Sequence, residues 1–399
     1  MKTKIALLTA TLAILASPAF AAYDKPYIGE TVIYKAQYED TFVHLARDYN
    51  LGYTEMRAAN PDIDPWLPGA GTEIILPLMQ ILPDAPHDGI VVNLPEMRLF
   101  AFVNGDEAPD TYPIGVGREG LLTPEGSTTV SRKIVGPTWR PTPRMLKEHP
   151  EYKSEYLPGD PENPMGSHAL YLAWPTYGIH GTNRPFGIGR RVSSGCMRMY
   201  PESIVALYDR IPVGTKVTVV NQPIKLAWIN DKLYLEAHPD IDQATQMEEY
   251  GYVQSEKLRD EDMRQILKVA GKDQDRLHWV AIRKAIKERN GYPIVIARRL
   301  PTGDVVAENE TEKFRVIESQ GQNRQQTAAL EQEEQEVFET SAGEVIAVED
   351  KVEDKKDVAP ATKPAQGPAT ETATNDLPAT ADTTQTKGKK PLNPKALNN

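Results

Sequence analysis

Hydrophobic and polar positions change period along the chain, and the changes mark its units. Thr31 to Tyr38 is strand-like, and Asp40 can cap a helix through Phe42, Leu45 and Ala46. Asn50-Leu51-Gly52 breaks that helix, and Thr54 can cap a second one through Met56 and Ala59. Asn60-Pro61 stops it, and Thr72 to Leu76 forms a closing strand before Pro77. The pattern predicts a small strand–helix–helix–strand module within residues 28–78. From 87 to 222 the reading turns to β. Gly89 to Phe102 alternates around Pro95-Glu96 as the two strands of a hairpin would, and Tyr112–Val116, Ser127–Val135, Ala169–Ala173 and Lys216–Val220 are further short runs bounded by Gly and Pro. A mainly-β sandwich or barrel-like domain is expected there. The Pro-rich stretch from Trp139 to Met165 is long for a plain loop, and such loops are often functional. Residues 223–300 read as a mixed α/β extension, with strands near Lys225 to Glu236 and helices around Glu256–Val269 and Arg276–Arg289.

The two ends read differently from this interior. Lys2 and Lys4, the apolar run Ile5–Ala16 and Ala19-Phe20-Ala21 have the order of a secretory signal peptide covering residues 1–21. Beyond about Pro301 the chain runs through Glu331-Gln332-Glu333-Glu334-Gln335-Glu336 into a Thr/Pro/Ala/Lys-rich stretch. Charges over 301–399 sum to about −8 of the whole chain's −11. Such a segment buries too little apolar surface to offset its ordering entropy, so a disordered tail is expected. The acidic balance argues against a general nucleic-acid partner, and no run after residue 22 is apolar for the ~20 residues of a membrane span. One cysteine excludes an intramolecular disulfide framework and a cysteine-based metal cluster.

That single cysteine lies in the stretch richest in chemistry, Ser193-Ser194-Gly195-Cys196-Met197-Arg198. Between His168 and Pro201 stand Arg184, Arg190, Arg191 and Arg198, with no Asp or Glu. A local positive field favours thiolate over thiol and attracts carboxylates, so Cys196 is the candidate nucleophile for a carboxylate-bearing substrate. His180, in Ile179-His180-Gly181, is the candidate general base. The N–H groups of Gly195 and Cys196 are candidates for an oxyanion hole.

Two other patterns carry no chemistry. Gly115-Val116-Gly117-Arg118-Glu119-Gly120 satisfies the dinucleotide fingerprint, but Leu121-Leu122-Thr123-Pro124 follows where a helix must open, so it reads as a turn between strands. The remaining histidines lack metal-ligand spacing. Neither a metal nor a cofactor is expected.

Two families are resembled. Asp40-Thr41, Leu45-Ala46, Asn60-Pro61-Asp62-Ile63, Trp66-Leu67-Pro68-Gly69 and Ile74-Ile75-Leu76-Pro77 resemble a LysM domain, which implies binding to N-acetylglucosamine-containing glycan. His180-Gly181-Thr182-Asn183 with Ser193-Ser194-Gly195-Cys196 and Arg198 resembles the YkuD-type L,D-transpeptidases. Trp139-Arg140-Pro141-Thr142-Pro143 and Asn163-Pro164-Met165-Gly166 match the periplasmic ErfK-like branch. Many members carry His before the Gly-Cys pair where this chain has Ser194, which leaves His180 alone for base duty. The resemblance implies acyl transfer from a peptidoglycan tetrapeptide stem, with release of D-alanine, to an amine: another stem in a 3-3 cross-link, or a lysine of an anchored envelope protein. Arg198, with Arg191, Asn183, Met165 and Gly166, is then expected to line the substrate pocket. Hydrolysis of the same stems, or a peptidoglycan-binding protein without catalysis, are the alternatives, and a periplasmic location follows from the same resemblance.

Overall fold

A computed structural model describes residues 23–299, apart from 104, 106 and 255–257, together with 314–317. The expected signal peptide and most of the expected tail lie outside the described residues.

Strand β1 (Tyr27–Ile28) leads into the N-terminal module: β2 (Val32–Lys35), α1 (Phe42–Asp48), α2 (Tyr53–Ala59) and β3 (Glu73–Leu76). β2 and β3 are antiparallel with Val32 opposite Leu76, and both helices cover one face of the pair. Tyr34, Phe42, Leu45, Met56, Ile74 and Leu76 are fully enclosed between them. The caps differ from expectation. Thr41, not Asp40, caps α1, its hydroxyl accepting from the His44 N–H at 3.2 Å. Asp40 instead takes the Tyr34 hydroxyl at 2.8 Å and the Gln37 N–H at 2.6 Å, which ties the β2–α1 loop to the core. Gly52 precedes α2 in place of Thr54, and the Glu55 carboxylate reaches back to the Gly52 N–H at 3.0 Å. Asn60 ends α2 and pins β3, exchanging two hydrogen bonds of 2.8 Å with Ile75.

After β4 (Gln80–Ile81), which pairs with β1, a hairpin of β5 (Gly89–Asn93) and β6 (Arg98–Phe102) begins the large domain. β7 (Asp110–Pro113) follows, then β8 (Val116–Gly117), β9 (Gly126–Val135), the short helix α3 (Pro143–Glu148), β10 (His168–Leu172), β11 (Gly178–His180), β12 (Arg191–Ser193), β13 (Met197–Arg198), α4 (Pro201–Arg210) and β14 (Lys216–Val220). Eight strands form one mixed sheet in the order β13-β11-β10-β9-β14-β5-β6-β7, and β8 pairs separately with β12. Alternate positions of β5 face different neighbours, as a period of two demands. Ile90 and Val92 join the main core with Leu99, Ile179, Met197 and the α4 residues Ile204 and Leu207. Phe100 turns the other way to Ile28 and Leu82.

The C-terminal part is a three-stranded antiparallel sheet of β15 (Ile224–Ile229), β16 (Lys232–Ala237) and β17 (Ile294–Arg298), with α5 (Ile241–Tyr250), α6 (Asp260–Ala270) and α7 (Trp279–Glu288) between the last two strands. Asn230 and Asp231 both take positive φ, the geometry of a two-residue hairpin turn whose twist suits the strands. A buried ionic network joins this part to the large domain. The Lys225 ammonium lies 2.8 Å from Glu96 and 2.7 Å from Glu236, and Glu236 also meets His238 at 2.6 Å. Glu96, Glu236 and His238 thus come close enough to resemble a metal-ligand set that their sequence spacing does not reveal, but the Lys225 cation fills the centre. One further strand, β18 (Arg315–Ile317), pairs in parallel with β2. It belongs to the stretch expected to be disordered. The expectation fails there because three residues add to an open sheet edge, and Ile317 packs against the module core.

Candidate active site

The cysteine and histidine singled out in the sequence come together through one strand pair. β11 and β13 are parallel, with Ile179 opposite Met197 and His180 opposite Arg198. Ile179 and Met197 are completely buried in the core, so the alternate residues Gly178, His180, Cys196 and Arg198 share the other face. Cys196 stands beside Gly178, which has no side chain to crowd the sulfur, and the Gly178 N–H hydrogen-bonds the thiol. His180 is one step further along the same face.

The local partners fix both groups. His180 Nδ1 hydrogen-bonds the Gly181 carbonyl at 2.7 Å, which puts the proton on Nδ1 and leaves Nε2 as the basic nitrogen. Burial, and secondarily the Arg198 cation, lower the His180 pKa from 6.5 to about 4. The imidazole is therefore neutral at physiological pH and ready to accept a proton. The Cys196 Sγ–H points to the Thr176 carbonyl at 3.5 Å. Thr176 is a β-branched residue at φ +70°, a strained conformation that turns this carbonyl toward the thiol. Desolvation raises the thiol pKa, outweighing the Gly178 N–H and the Arg198 charge, which both lower it. The arginine field was expected to leave a thiolate. It moderates the thiol pKa, but burial wins, and the resting pair is neutral thiol with neutral imidazole.

The oxyanion donors also need revision. Gly195 takes φ +108°, open only to glycine, and a Cβ there would lie 2.8 Å from the Tyr177 ring. Its N–H is already donated to Ser193 Oγ at 3.1 Å, and that hydroxyl donates to the Cys196 carbonyl at 2.5 Å. Gly195 therefore shapes the turn instead of supplying a donor. The Cys196 N–H has no acceptor among the described residues and stays available.

The arginines separate into roles. Arg198 lies half-buried beside the thiol without an ion pair among the described residues, and its Nε has no hydrogen-bond partner there. Burial, aided by the charges of Arg184 and Arg118, lowers its pKa. A half-buried cation with an unpaired Nε–H beside the thiol is suited to a carboxylate. Arg191 donates to the Gly117 carbonyl at 3.3 Å and so helps hold β12 on β8. Asn183 donates to the Pro161 carbonyl at 3.1 Å, which fastens the Pro-rich insertion to the strand end after His180. Met165 and Gly166 pack against the backbone that follows the histidine: a Cβ on Gly166 would lie 2.8 Å from the Thr182 nitrogen, and Gly181 sits against the Met165 carbonyl. Both support the backbone of the His180 acceptor, and the Met165 sulfur lies 4.0 Å from the hydroxyl of Tyr171, which pairs with Gly178 on the thiol's face of the sheet.

Sequence reading passed over Thr123 and gave no function to Asn163. Thr123 is buried, accepts the Gly117 N–H at 3.1 Å and donates to the Gly195 carbonyl at 2.9 Å. It links the glycine-rich turn to the cysteine loop. The spacing of that turn has a steric cause, since a Cβ on Gly115 would meet the Gly187 carbonyl at 2.7 Å and one on Gly117 the Leu121 carbonyl at 2.2 Å. Asn163 anchors the Pro-rich insertion through the Pro137 and Leu157 carbonyls at 2.8 and 3.2 Å.

Known proteins share this arrangement at the level of sequence. The profile of YkuD, the L,D-transpeptidase catalytic domain, matches residues 87–219. The probable L,D-transpeptidase YbiS of Escherichia coli is 39% identical over 259 residues, which span 63% of this chain and 81% of that protein. The chain belongs to the L,D-transpeptidase family. The probable L,D-transpeptidases YcfS and ErfK/SrfK of Escherichia coli are each 42% identical, covering 49% of this chain and 64% and 65% of their own lengths. The chain is thus an enzyme of a family that uses a cysteine nucleophile, and it contains one cysteine. The profile match starts just before β5 and ends inside β14, so it takes in all of the eight-stranded sheet but the last residue of β14.

Proposed function

We propose that this L,D-transpeptidase acts on peptidoglycan stem peptides, with Cys196 as nucleophile, His180 as proton carrier and Arg198 as a carboxylate-binding group. One observation supports the reading above the others: Cys196, His180 and Arg198 share one open face of the β11/β13 pair, while the residues between them are in the core. Nε2 of neutral His180 takes the Cys196 proton as the sulfur attacks the carbonyl of the diaminopimelate L-centre in a tetrapeptide donor. The tetrahedral oxyanion accepts from the Cys196 N–H. The C–N bond to D-alanine then breaks, His180 returns the proton to the departing amine, and a thioester remains. An amine acceptor attacks that thioester, His180 removes its proton, and the C–S bond breaks to give the new amide and the thiol. Arg198 suits a carboxylate of the stem.

The N-terminal module is read as a LysM glycan-binding unit. Its β2–α1 and α2–β3 loops lie side by side, with the Phe42 N–H on the Pro65 carbonyl at 2.7 Å, and they expose Tyr38, Trp66 and Leu67. Exposed aromatic faces on adjoining loops suit stacking against sugar rings. A wall-associated, periplasmic enzyme fits both parts. The test is incubation with disaccharide-tetrapeptide and mass spectrometry of the products. Release of D-alanine with dimer formation is expected, Cys196→Ala should abolish it, and release from the alanine variant would overturn the nucleophile assignment.

A further inference from the structure

The N-terminal module does more than adjoin the catalytic sheet. The first turn of α2 leaves backbone N–H groups without intrahelical partners, as every helix start does. Here the Tyr53 N–H donates to the Ile188 carbonyl and the Thr54 N–H to the Gly189 carbonyl, both at 3.3 Å. The two segments meet glycine to glycine: a Cβ on Gly189 would lie 2.4 Å from both the Gly52 Cα and the Tyr53 nitrogen. Gly189 also needs its φ of +75°. Next to this contact, the Arg190 guanidinium stacks 3.9 Å over the Tyr53 ring and pairs with Glu248 on α5 at 2.7 Å. Tyr200, which opens α4 directly after the cysteine strand, donates its hydroxyl to the Leu51 carbonyl at 3.2 Å.

The seated turn leads straight to the chemistry. The Gly189 N–H is held by the Ile114 carbonyl at 3.2 Å, and the Arg190 carbonyl takes the Val116 N–H at 3.0 Å. β12 follows at once and ends in Ser193, whose hydroxyl fixes both the Gly195 N–H and the Cys196 carbonyl. The Cys196 N–H, the candidate oxyanion donor of this turn, is oriented by the same loop.

We infer that the Gly52–Glu55 turn of the N-terminal module is a positioning element of the catalytic site, seating Ile188–Arg190 and through them the loop that carries Cys196. The module thereby contributes to turnover even on a substrate without sugar. The inference rests on Cys196 being the nucleophile but not on glycan binding, and thiol reactivity tests it apart from either.

The experiment compares the full chain with Gly189→Ala, Tyr53→Ala and Tyr53→Phe. Two readouts are taken: kcat and KM for D-alanine release from a sugar-free tetrapeptide, and the pH profile of Cys196 alkylation by iodoacetamide. Gly189→Ala is expected to lower kcat at least tenfold and to shift the alkylation profile. Tyr53→Ala should lower kcat severalfold with KM little changed, and Tyr53→Phe, which keeps the ring under Arg190, should restore it. Should Gly189→Ala fail to fold, the Tyr53 pair decides alone. Unchanged kcat and an unchanged alkylation profile in Tyr53→Ala would overturn the inference and leave the module a tether. A wild-type chain that alkylates normally but releases no D-alanine would count against the transpeptidase reading instead, and the shifts in alkylation profile would then decide the inference.

Discussion

His180 and Arg198 stand directly opposite each other on adjacent parallel strands. A permanent cation beside an imidazole disfavours the charged imidazole, and the same cation favours a thiolate at Cys196. Arg198 therefore lowers both pKa values, keeping the base unprotonated and the nucleophile easier to ionise. Replacing it with an apolar isostere should raise both. In Arg198→Met, iodoacetamide is expected to alkylate Cys196 about three- to tenfold more slowly at pH 7.5, since a rise of one pKa unit costs tenfold in thiolate. Faster alkylation would show that burial of the guanidinium, not its charge, is what the thiol senses.

The depressed histidine has a consequence for stability. Its pKa of about 4 in the folded chain lies below the ordinary 6.5, so between those values the unfolded chain holds a proton that the folded chain refuses. Stability is unaffected above pH 6.5 and falls as the pH drops toward 4, by about 3 kcal/mol from this group. Urea unfolding at pH 7 and pH 4.5 should show that fall in the natural chain. His180→Gln keeps a donor for the Gly181 carbonyl and should lose most of the difference. Equal pH dependence in the two chains would place the imidazole in a more hydrated setting.

Glu55 of the module and Arg98 of β6 form an ion pair of 2.7 Å with both side chains almost wholly enclosed. Arg98 also donates to the Asn50 carbonyl at 3.1 Å, so one guanidinium spans the two parts. Glu55→Ala leaves that charge buried and unpaired, and a loss of about 3–5 kcal/mol in urea unfolding is expected. The double change Glu55→Met with Arg98→Met removes the stranded charge along with its partner. A double-mutant cycle should give a coupling of at least about 2 kcal/mol. A coupling near zero would mean the pair is satisfied by water.

The legible parts of this chain are those where the relevant residues are near in sequence. Ile179-His180-Gly181 and Gly195-Cys196-Met197-Arg198 each carry their own alternation, so the core residues Ile179 and Met197 already imply which neighbours share the open face. The module elements were equally readable, because Asn50-Leu51-Gly52 and Asn60-Pro61 punctuate them. The caps were not. Asp40 and Thr54 are good capping residues, but Asp40 is claimed by Tyr34 and Gln37, and the chain entering α2 is bound to Gly189 before Thr54 is reached. Gly195 is a close-approach glycine, as read, yet Ser193 two residues earlier takes its N–H. The thiol pKa turned on burial, which a count of nearby arginines does not contain. Asn183 and Gly166 sit in the right motifs, and the packing adds what each holds in place: the Pro161 carbonyl and the Gly181–Thr182 backbone.

Thr123 was invisible for a related reason: its two partners, Gly117 and Gly195, are six and seventy-two residues away. Its hydroxyl accepts from one backbone and donates to the other in a buried setting, so it sets the distance between the glycine-rich turn and the cysteine loop. Thr123→Val keeps the shape and removes both hydrogen bonds, leaving the Gly117 N–H and the Gly195 carbonyl unsatisfied at about 1–3 kcal/mol each. Thr123→Ser retains the hydroxyl. The valine variant is expected to melt several degrees lower and to lose about tenfold in kcat for D-alanine release with KM nearly unchanged, while the serine variant should stay within twofold of the natural chain. Equal activity in the two variants would mean that the cysteine loop holds its shape through the Ser193 hydroxyl alone.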